Sequence, residues 1–446
     1  RGIPDEARGD ILSDVAQDGT AAGANQKRNQ ERGTDMSGRK ITILGGGQSG
    51  LQLACGLLQH GYEVSVVQNR DAEDVRTGKV MSSQCMFHDA LQNERDIGLD
   101  FWGKECPTVD SINFVVPSPE HAGEKALEWN GLLDLPAQSV DQRVKVPVWM
   151  REFERRGGKL EIRDAGIADL EAYAAGSDLV VVAAGKGDIA RLFERDASRS
   201  PFDRPQRALA LTYVHGMVPR ADHSAVNFNL IPGVGEYFVF PALTNSGPCE
   251  IMVFEGIPGG PMDCWKDVAG PSEHLARSRW ILETFLPWEA ARCRNVELTD
   301  ANGILSGAFP PTVRKPIGKL PSGRLVLGLA DAVCLNDPIT GQGSNNASKA
   351  ARCYMDAIVA HGDQPYDATF MQDAFDAYWN YAQFVVGWTN AMLQPPPPHV
   401  LNIMGSAQAM PVLARRIANG FNNPPDLFPW FAVPEEADKY LRQLAA

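Results

Sequence analysis

"ITILGGGQSGLQLACGLLQHGYEVSVVQNR", residues 41–70, decides the fold. Ile41 to Leu44 read as a short buried strand and Gly45 to Gly50 as a turn. Leu51 to His60 carry apolar residues at helical spacing until Gly61 stops the helix, and Tyr62 to Val67 alternate into a second strand. This is a βαβ start with G-x-G-x-x-G at Gly45, Gly47 and Gly50, with Gln48 and Ser49 inside the turn. The glycines allow a tight turn, close approach of a pyrophosphate and close helix–strand packing, so the stretch predicts dinucleotide binding. One feature departs from the pattern. The acid that usually holds the adenosine ribose is missing, and the second strand ends in Gln68, Asn69 and Arg70. Gln68 and Asn69 offer uncharged hydrogen bonds there, a weaker grip.

A second strand–turn–helix lies far downstream in "GRLVLGLADAVCLNDPITGQGSNNASKAARCYMDAI". It gives a strand at Arg324 to Leu329, then Asp331, a Pro/Gly loop, and a helix from about Ser344 through Ile358. Free N–H groups at glycine-led helix starts bind anions. Two such starts, far apart in one chain, suit a long ligand with two ends, and FAD is one. "SDLVVVAAGKG" (177–187) reads as a buried strand returning to the nucleotide sheet. From about 201 to 320, stretches such as "GEYFVFPAL" and "CEIMVFEG" alternate as an antiparallel sheet. Past residue 365 the chain turns helical, interrupted by "QPPPPH" (394–399), a stiff turn.

The net charge of −13 argues against nucleic acid or an anionic membrane as a partner. No apolar run is long enough for a transmembrane helix. The eight cysteines form no CxxC pair and no zinc spacing, so no metal is expected, and reduced thiols in a cytoplasm are. The first 35 or so residues are polar and lack the apolar region of a secretory signal. They read as a disordered tail or a translated upstream segment, with Met36 as the natural start.

Taken together, the GxGxxG start and the G-x-x-D…P-x-x-G-x-G pattern near residue 330 resemble the FAD-dependent aromatic hydroxylase fold. The two-component styrene and indole monooxygenases are more similar still. The lines that carry the resemblance are "ERRGGKLEIRDA", "SDLVVVAAGK", "SPFDRPQRALAL", "GLADAVCLNDPITGQGSNNAS" and "GWTN". It implies an α/β chain with a Rossmann-like FAD-binding domain, an antiparallel-sheet substrate domain and C-terminal helices. The expected division is an extension at 1–37, an FAD-binding domain at 38–200 and 320–362, a substrate sheet at 201–319 and a helical region at 363–446. It also implies an oxygenase component that receives reduced FAD from a separate NADH-dependent flavin reductase. Dioxygen then adds at flavin C4a, and the hydroperoxide passes one oxygen to an electron-rich C=C bond. The Asp-Gly step that one-component hydroxylases carry after the middle strand is missing from "DLVVVAAGKGD", in keeping with a protein that does not bind nicotinamide. A one-component NAD(P)H hydroxylase is the weaker alternative.

Within that family the strip after the second strand separates substrate groups. The styrene type resembles N-x-V-x-H and the indole type S-x-Q-x-M. This chain has Ser82, Gln84 and Met86, with Val109 and Ile112 further on and Ala137 before "VDQR". All resemble the indole group, so the expectation is epoxidation of indole at C2=C3, leading to indoxyl and indigo, with styrene as the alternative substrate. Oligomeric state stays open, a homodimer included. The flavin is the oxidant, so the protein has to supply a dry, apolar pocket rather than a nucleophile. Cys85 is therefore expected to be an inert buried thiol. The resemblance also places Asp331 at the ribityl chain and Arg143 at FAD. Pro338, Gly341, Gln342 and Gly343 fall beside the isoalloxazine, with Ser344, Asn345 and Asn346 at the helix start, where an ordinary cap is the other reading of the asparagines.

Overall fold

Two sheets of opposite character follow from two kinds of strand. Short, mostly apolar runs such as Ile41–Leu44 and Leu179–Val182 are buried on both faces and pair in parallel, whereas longer alternating runs build a largely antiparallel sheet. The computed structural model describes residues 38–121, 123–184 and 187–445, so the expectations for residues 1–37 and for Gly185 and Lys186 lie outside the described residues.

The chain runs β1 (Lys40–Leu44), α1 (Gln48–Gln59), β2 (Glu63–Gln68), α2 (Ala72–Thr77), α3 (His88–Asp96), β3 (Thr108–Pro117) and β4 (Lys125–Gln138). Next come α4 (Gln142–Arg155), β5 (Lys159–Ile162), α5 (Ile167–Gly176), β6 (Leu179–Val182) and the single turn α6 (Gly187–Ala190). The long strands β7 (Ala208–His215), β8 (Ala225–Ile231), β9 (Gly235–Thr244) and β10 (Gly247–Gly256) follow, then α7 (Pro271–Phe285) and α8 (Pro287–Arg292). Short strands β11 (Glu297–Leu298), β12 (Ile304–Gly307), β13 (Thr312–Val313), β14 (Ile317–Lys319), β15 (Leu325–Gly328) and β16 (Cys334–Leu335) lead into α9 (Gly343–His361). The chain closes with α10 (Ala368–Met392), α11 (Pro398–Ser406), α12 (Pro411–Asn419) and α13 (Pro434–Ala445).

The nucleotide sheet has the order β14-β15-β6-β1-β2-β5 and is parallel except where β14 meets β15. The second sheet runs β11-β7-β10-β9-β8-β3-β4, with β12 also on β7, and only β3–β8 is parallel. Its strands β3 and β4 come from well before residue 201, so this sheet starts about a hundred residues earlier in the chain than the sequence suggested. The pairing that recruits them, Ser111 with Ala225, is non-local and leaves no mark on the local pattern. One face of the second sheet packs on α7. The other faces α10 to α13, and there Gly131 has no Cβ to collide with the Ala414 carbonyl of α12. Among the described residues no helix is long and apolar enough to cross a membrane.

Candidate active site

Helices α1 and α9 lie side by side with their N-termini together. The Gln48 side-chain amide donates to Ser344 O (3.0 Å), and one turn on Gln52 donates to Ser348 O and Oγ (both 3.1 Å). Gly56 leaves room for Met355 at the same contact. Neither helix start carries a side-chain cap, so first-turn N–H groups are left for a ligand. Gly47, Gly341 and Gly343 would each place a Cβ in open space, which leaves the backbone accessible. Gly45 and Gly50 serve the fold instead. Gly45 turns at φ +114° against Ala183, and a Cβ on Gly50 would strike the Gly45 carbonyl.

The turn before α9 is held from three sides. Asp337 Oδ1 accepts from Ile339 N (3.1 Å), Thr340 Oγ1 meets Thr389 Oγ1 of α10 (2.7 Å), and Gly341 takes the left-handed conformation. The Thr389 contact gives the "GWTN" line its structural role. Gln342 turns its amide inward to Phe421 O (2.9 Å), so its backbone, not its side chain, faces the opening.

The Ser82–Met86 strip is pinned to this turn by Asn345. Its Oδ1 accepts from Phe87 N (2.8 Å) and its Nδ2 donates to Cys85 O (2.9 Å) and Gly341 O (3.0 Å). Asn345 thus acts on the strip and the turn, not as a helix cap. Ser82 Oγ donates to Gln84 Oε1 (2.9 Å), Gln84 Nε2 to Tyr213 Oη (3.2 Å), and Tyr213 Oη to Ser82 O (2.8 Å).

Val109 sits opposite Ala137 across β3–β4. A register shift between Val109 and Ser111 lets positions of odd spacing, Val109 and Ile112, share one apolar cluster with Ala137, Cys85, Phe87 and Ile339. Met86 departs from the expected wall. It is buried with Ala90 and Leu91, and its Sδ meets Lys145 Nζ (3.1 Å) and Gln48 Nε2 (3.4 Å). The strip is no regular strand but a single bridge, Met86 to Gln138, so its side chains do not alternate. Burial pushes the Cys85 thiol far above its ordinary range, which removes it as a nucleophile.

Against this geometry the comparisons are consistent. Residues 185–292 match the family model of the styrene monooxygenase A substrate binding domain. Styrene monooxygenase StyA of Pseudomonas fluorescens is 29% identical over 416 residues, covering 91% of this chain and 98% of that protein, and a StyA from another Pseudomonas matches equally. The chain is similar to styrene monooxygenase StyA over nearly its whole length. Solved structures similar in fold include a flavoprotein/dehydrogenase from Cytophaga hutchinsonii, with TM-score 0.64 at 12% identity, covering 91% of this chain and 100% of that one. The flavin-dependent brominase Bmp2 has TM-score 0.56 at 15% identity, covering 91% and 92%.

With these relatives, the chain is an FAD-dependent monooxygenase of the two-component epoxidase kind. The residues present fit FAD. Two uncapped helix starts, each reached through accessible glycine backbone, offer donors to its two polar ends. The other expected cofactor residues differ in setting. Gln68 lies over Gly46 with its amide donating to Arg70 O (2.6 Å), and Asn69 is exposed. Ser49 is buried in the first turn of α1. Asp331 is exposed on a short 3-10 turn after Ala330, the one non-glycine described residue with positive φ (52°). Arg143 is buried, its guanidinium bonded to Asp141 (2.9 Å), Asp300 (3.0 Å) and Thr244 (3.2 Å). That network ties α4 to the second sheet.

Sequence reasoning missed several partners of this oxygenase site. Gln142 at the start of α4 donates to Gln48 Oε1 (2.8 Å), making Gln48 the meeting point of three helix starts. Tyr213 lay within reach, since "LALTYVH" alternates and places it inward with Leu211. The buried Lys145–Glu94 pair (2.7 Å) beneath Met86 had no local signal. Among the described residues no cluster of His, Cys, Asp or Glu could hold a metal ion.

Proposed function

We propose that this chain is the oxygenase component that epoxidises indole at C2=C3, with reduced FAD delivered by a separate NADH-dependent flavin reductase. The observation that carries this reading is one apolar cluster holding Val109, Ile112 and Ala137 together with Ile339 of the Pro338–Gly343 turn. Bound reduced FAD supplies oxygen transfer once dioxygen is present. The chain's own groups do the rest. Backbone at Gly47, Gly341 and Gly343 and the first turns of α1 and α9 hold the cofactor, with Ser344 and Asp331 beside it. The cluster keeps water out. Gln84 Oε1, already accepting from Ser82, has a second lone pair for an indole N–H, a group that styrene lacks.

A styrene-type epoxidase is the second reading, favoured by the StyA relatives that match nearly the whole chain. Product analysis with chemically reduced FAD, dioxygen and equal indole and styrene separates the two. Indoxyl and indigo in excess support the first, and styrene oxide in excess supports the second. Absence of both products overturns the oxygenase assignment of substrate class, and nicotinamide oxidation without a reductase would show a one-component enzyme.

A further inference from the structure

A group of charged side chains that the reaction reading leaves unused lies at the end of the second sheet, next to the turn before α9. Glu255 of β10 pairs across the sheet with Glu236 of β9, and both are fully buried. Arg207 answers Glu236 with two hydrogen bonds, from Nε (2.6 Å) and Nη2 (2.9 Å). Glu255 has no such cation. Neither of its carboxyl oxygens receives an N–H or hydroxyl, and the same holds for Oδ2 of Asp337, also buried. The two carboxyl groups are instead within hydrogen-bonding reach of each other.

Two carboxylates facing one another in a closed apolar site cannot both be ionised. One proton between them satisfies oxygens that otherwise have no donor. We propose that Glu255 and Asp337 share a single proton, and that this acid pair positions the Pro338–Gly343 turn for the flavin. The inference rests on reading that turn as the flavin contact. Asp337 is suited to the task because its other oxygen, Oδ1, already accepts from Ile339 N, and Ile339 packs in the apolar cluster. The proton therefore ties β10 to the turn through one side chain. Burial pushes both carboxyls above the ordinary range. Glu236 adds repulsion at Glu255, and Arg207 opposes the rise. From α10 the turn is hydrogen-bonded by the uncharged Thr389, and the neighbouring Trp388 shares the apolar cluster with Ile339. Deprotonation sets like charges against each other, and Asp337 can relieve that only by moving the turn. Glu255 and Asp337 are in this sense positioning residues.

The decisive variant is Glu255→Gln, whose amide donates to Asp337 Oδ2 at every pH. The first measurement is infrared spectroscopy of the flavin-free protein. A protonated-carboxyl C=O band at neutral pH that Glu255→Gln removes is the expected result, and its absence overturns the shared proton whatever the flavin does. The second is FAD titration of the flavin-free protein by fluorescence quenching from neutral to alkaline pH. Wild-type affinity is expected to fall by about tenfold per pH unit once the pair titrates, while Glu255→Gln stays level. Glu255→Leu, which leaves Asp337 without a donor, is expected to bind weakly already at neutral pH. A band with identical pH profiles for wild type and Glu255→Gln overturns the positioning role. Failure of all variants and of the wild type to bind FAD overturns the flavin reading of the turn instead, and leaves the infrared result standing.

Discussion

Asn345 and Phe87, 258 positions apart, are joined by a buried 2.8 Å hydrogen bond that fixes the Ser82–Phe87 strip to the start of α9. The same amide reaches Cys85 O, so one side chain closes both ends of a three-residue span. Asn345→Ala strands the Phe87 N–H and the Cys85 carbonyl together. The expected cost is about 1–3 kcal/mol in denaturant unfolding. Turnover with reduced FAD should also shift from oxygenated product toward hydrogen peroxide, because the strip no longer seals the cluster. Asn345→Asp should be no rescue, since a carboxylate cannot donate to Cys85 O.

Gly47 and Gly50 separate binding from folding. A Cβ at Gly47 meets nothing, whereas one at Gly50 strikes the Gly45 carbonyl. Gly47→Ala should therefore keep the wild-type melting temperature and weaken FAD binding by about tenfold or more, as a methyl occupies the approach of the pyrophosphate. Gly50→Ala should lower stability by about 1–3 kcal/mol through the forced separation of turn and helix. Calorimetry of the flavin-free variants and flavin titration distinguish the two effects.

What could be read from the sequence was local. The Gly45–Gly50 turn, α1, β15 and α9 follow from spacing, because their geometry depends on residues a few positions apart. The recruitment of β3 and β4 into the second sheet was hidden, since it rests on pairings such as Ser111 with Ala225. Ser82, Gln84 and Met86 form a pattern at alternate positions, yet Gln84 reaches Tyr213 while Met86 reaches Lys145. The pattern records identity, and only the irregular backbone decides direction. Arg143 illustrates the same limit: a buried arginine is announced by neither neighbour, and its side-chain acceptors come from Asp141, Thr244 and Asp300.

Lys145 and Glu94 form a fully buried pair whose ammonium also touches Met86. Removing one partner leaves an uncompensated charge, so Glu94→Ala or Lys145→Ala should each cost about 3–5 kcal/mol. Replacing both by apolar residues of similar volume, as Lys145→Met with Glu94→Leu, should recover most of that loss. A double-mutant cycle in urea measures the coupling. Additive costs, with the double variant losing the sum of the two singles, would instead mean that each residue acts through packing alone.

His274 of α7 is buried against Trp265, with Nε2 3.0 Å from Leu211 O. The ring therefore donates its Nε2 proton to that carbonyl in the neutral form, and burial pushes its pKa down to about 4. The folded state binds a proton less readily than the unfolded chain. The contribution is complete above the ordinary histidine range and is lost as pH falls from about 6.5 to about 4, by roughly 3 kcal/mol in all. Other groups pull the opposite way. Burial pushes Glu250 up to about 7, which favours the folded state as pH falls. The net acid curve mixes both signs, so the informative quantity is the difference between wild type and His274→Gln at each pH. That difference should shrink steadily between about pH 6.5 and 4 in urea unfolding, and a constant difference would mean that His274 binds its proton equally well in the folded and unfolded chains.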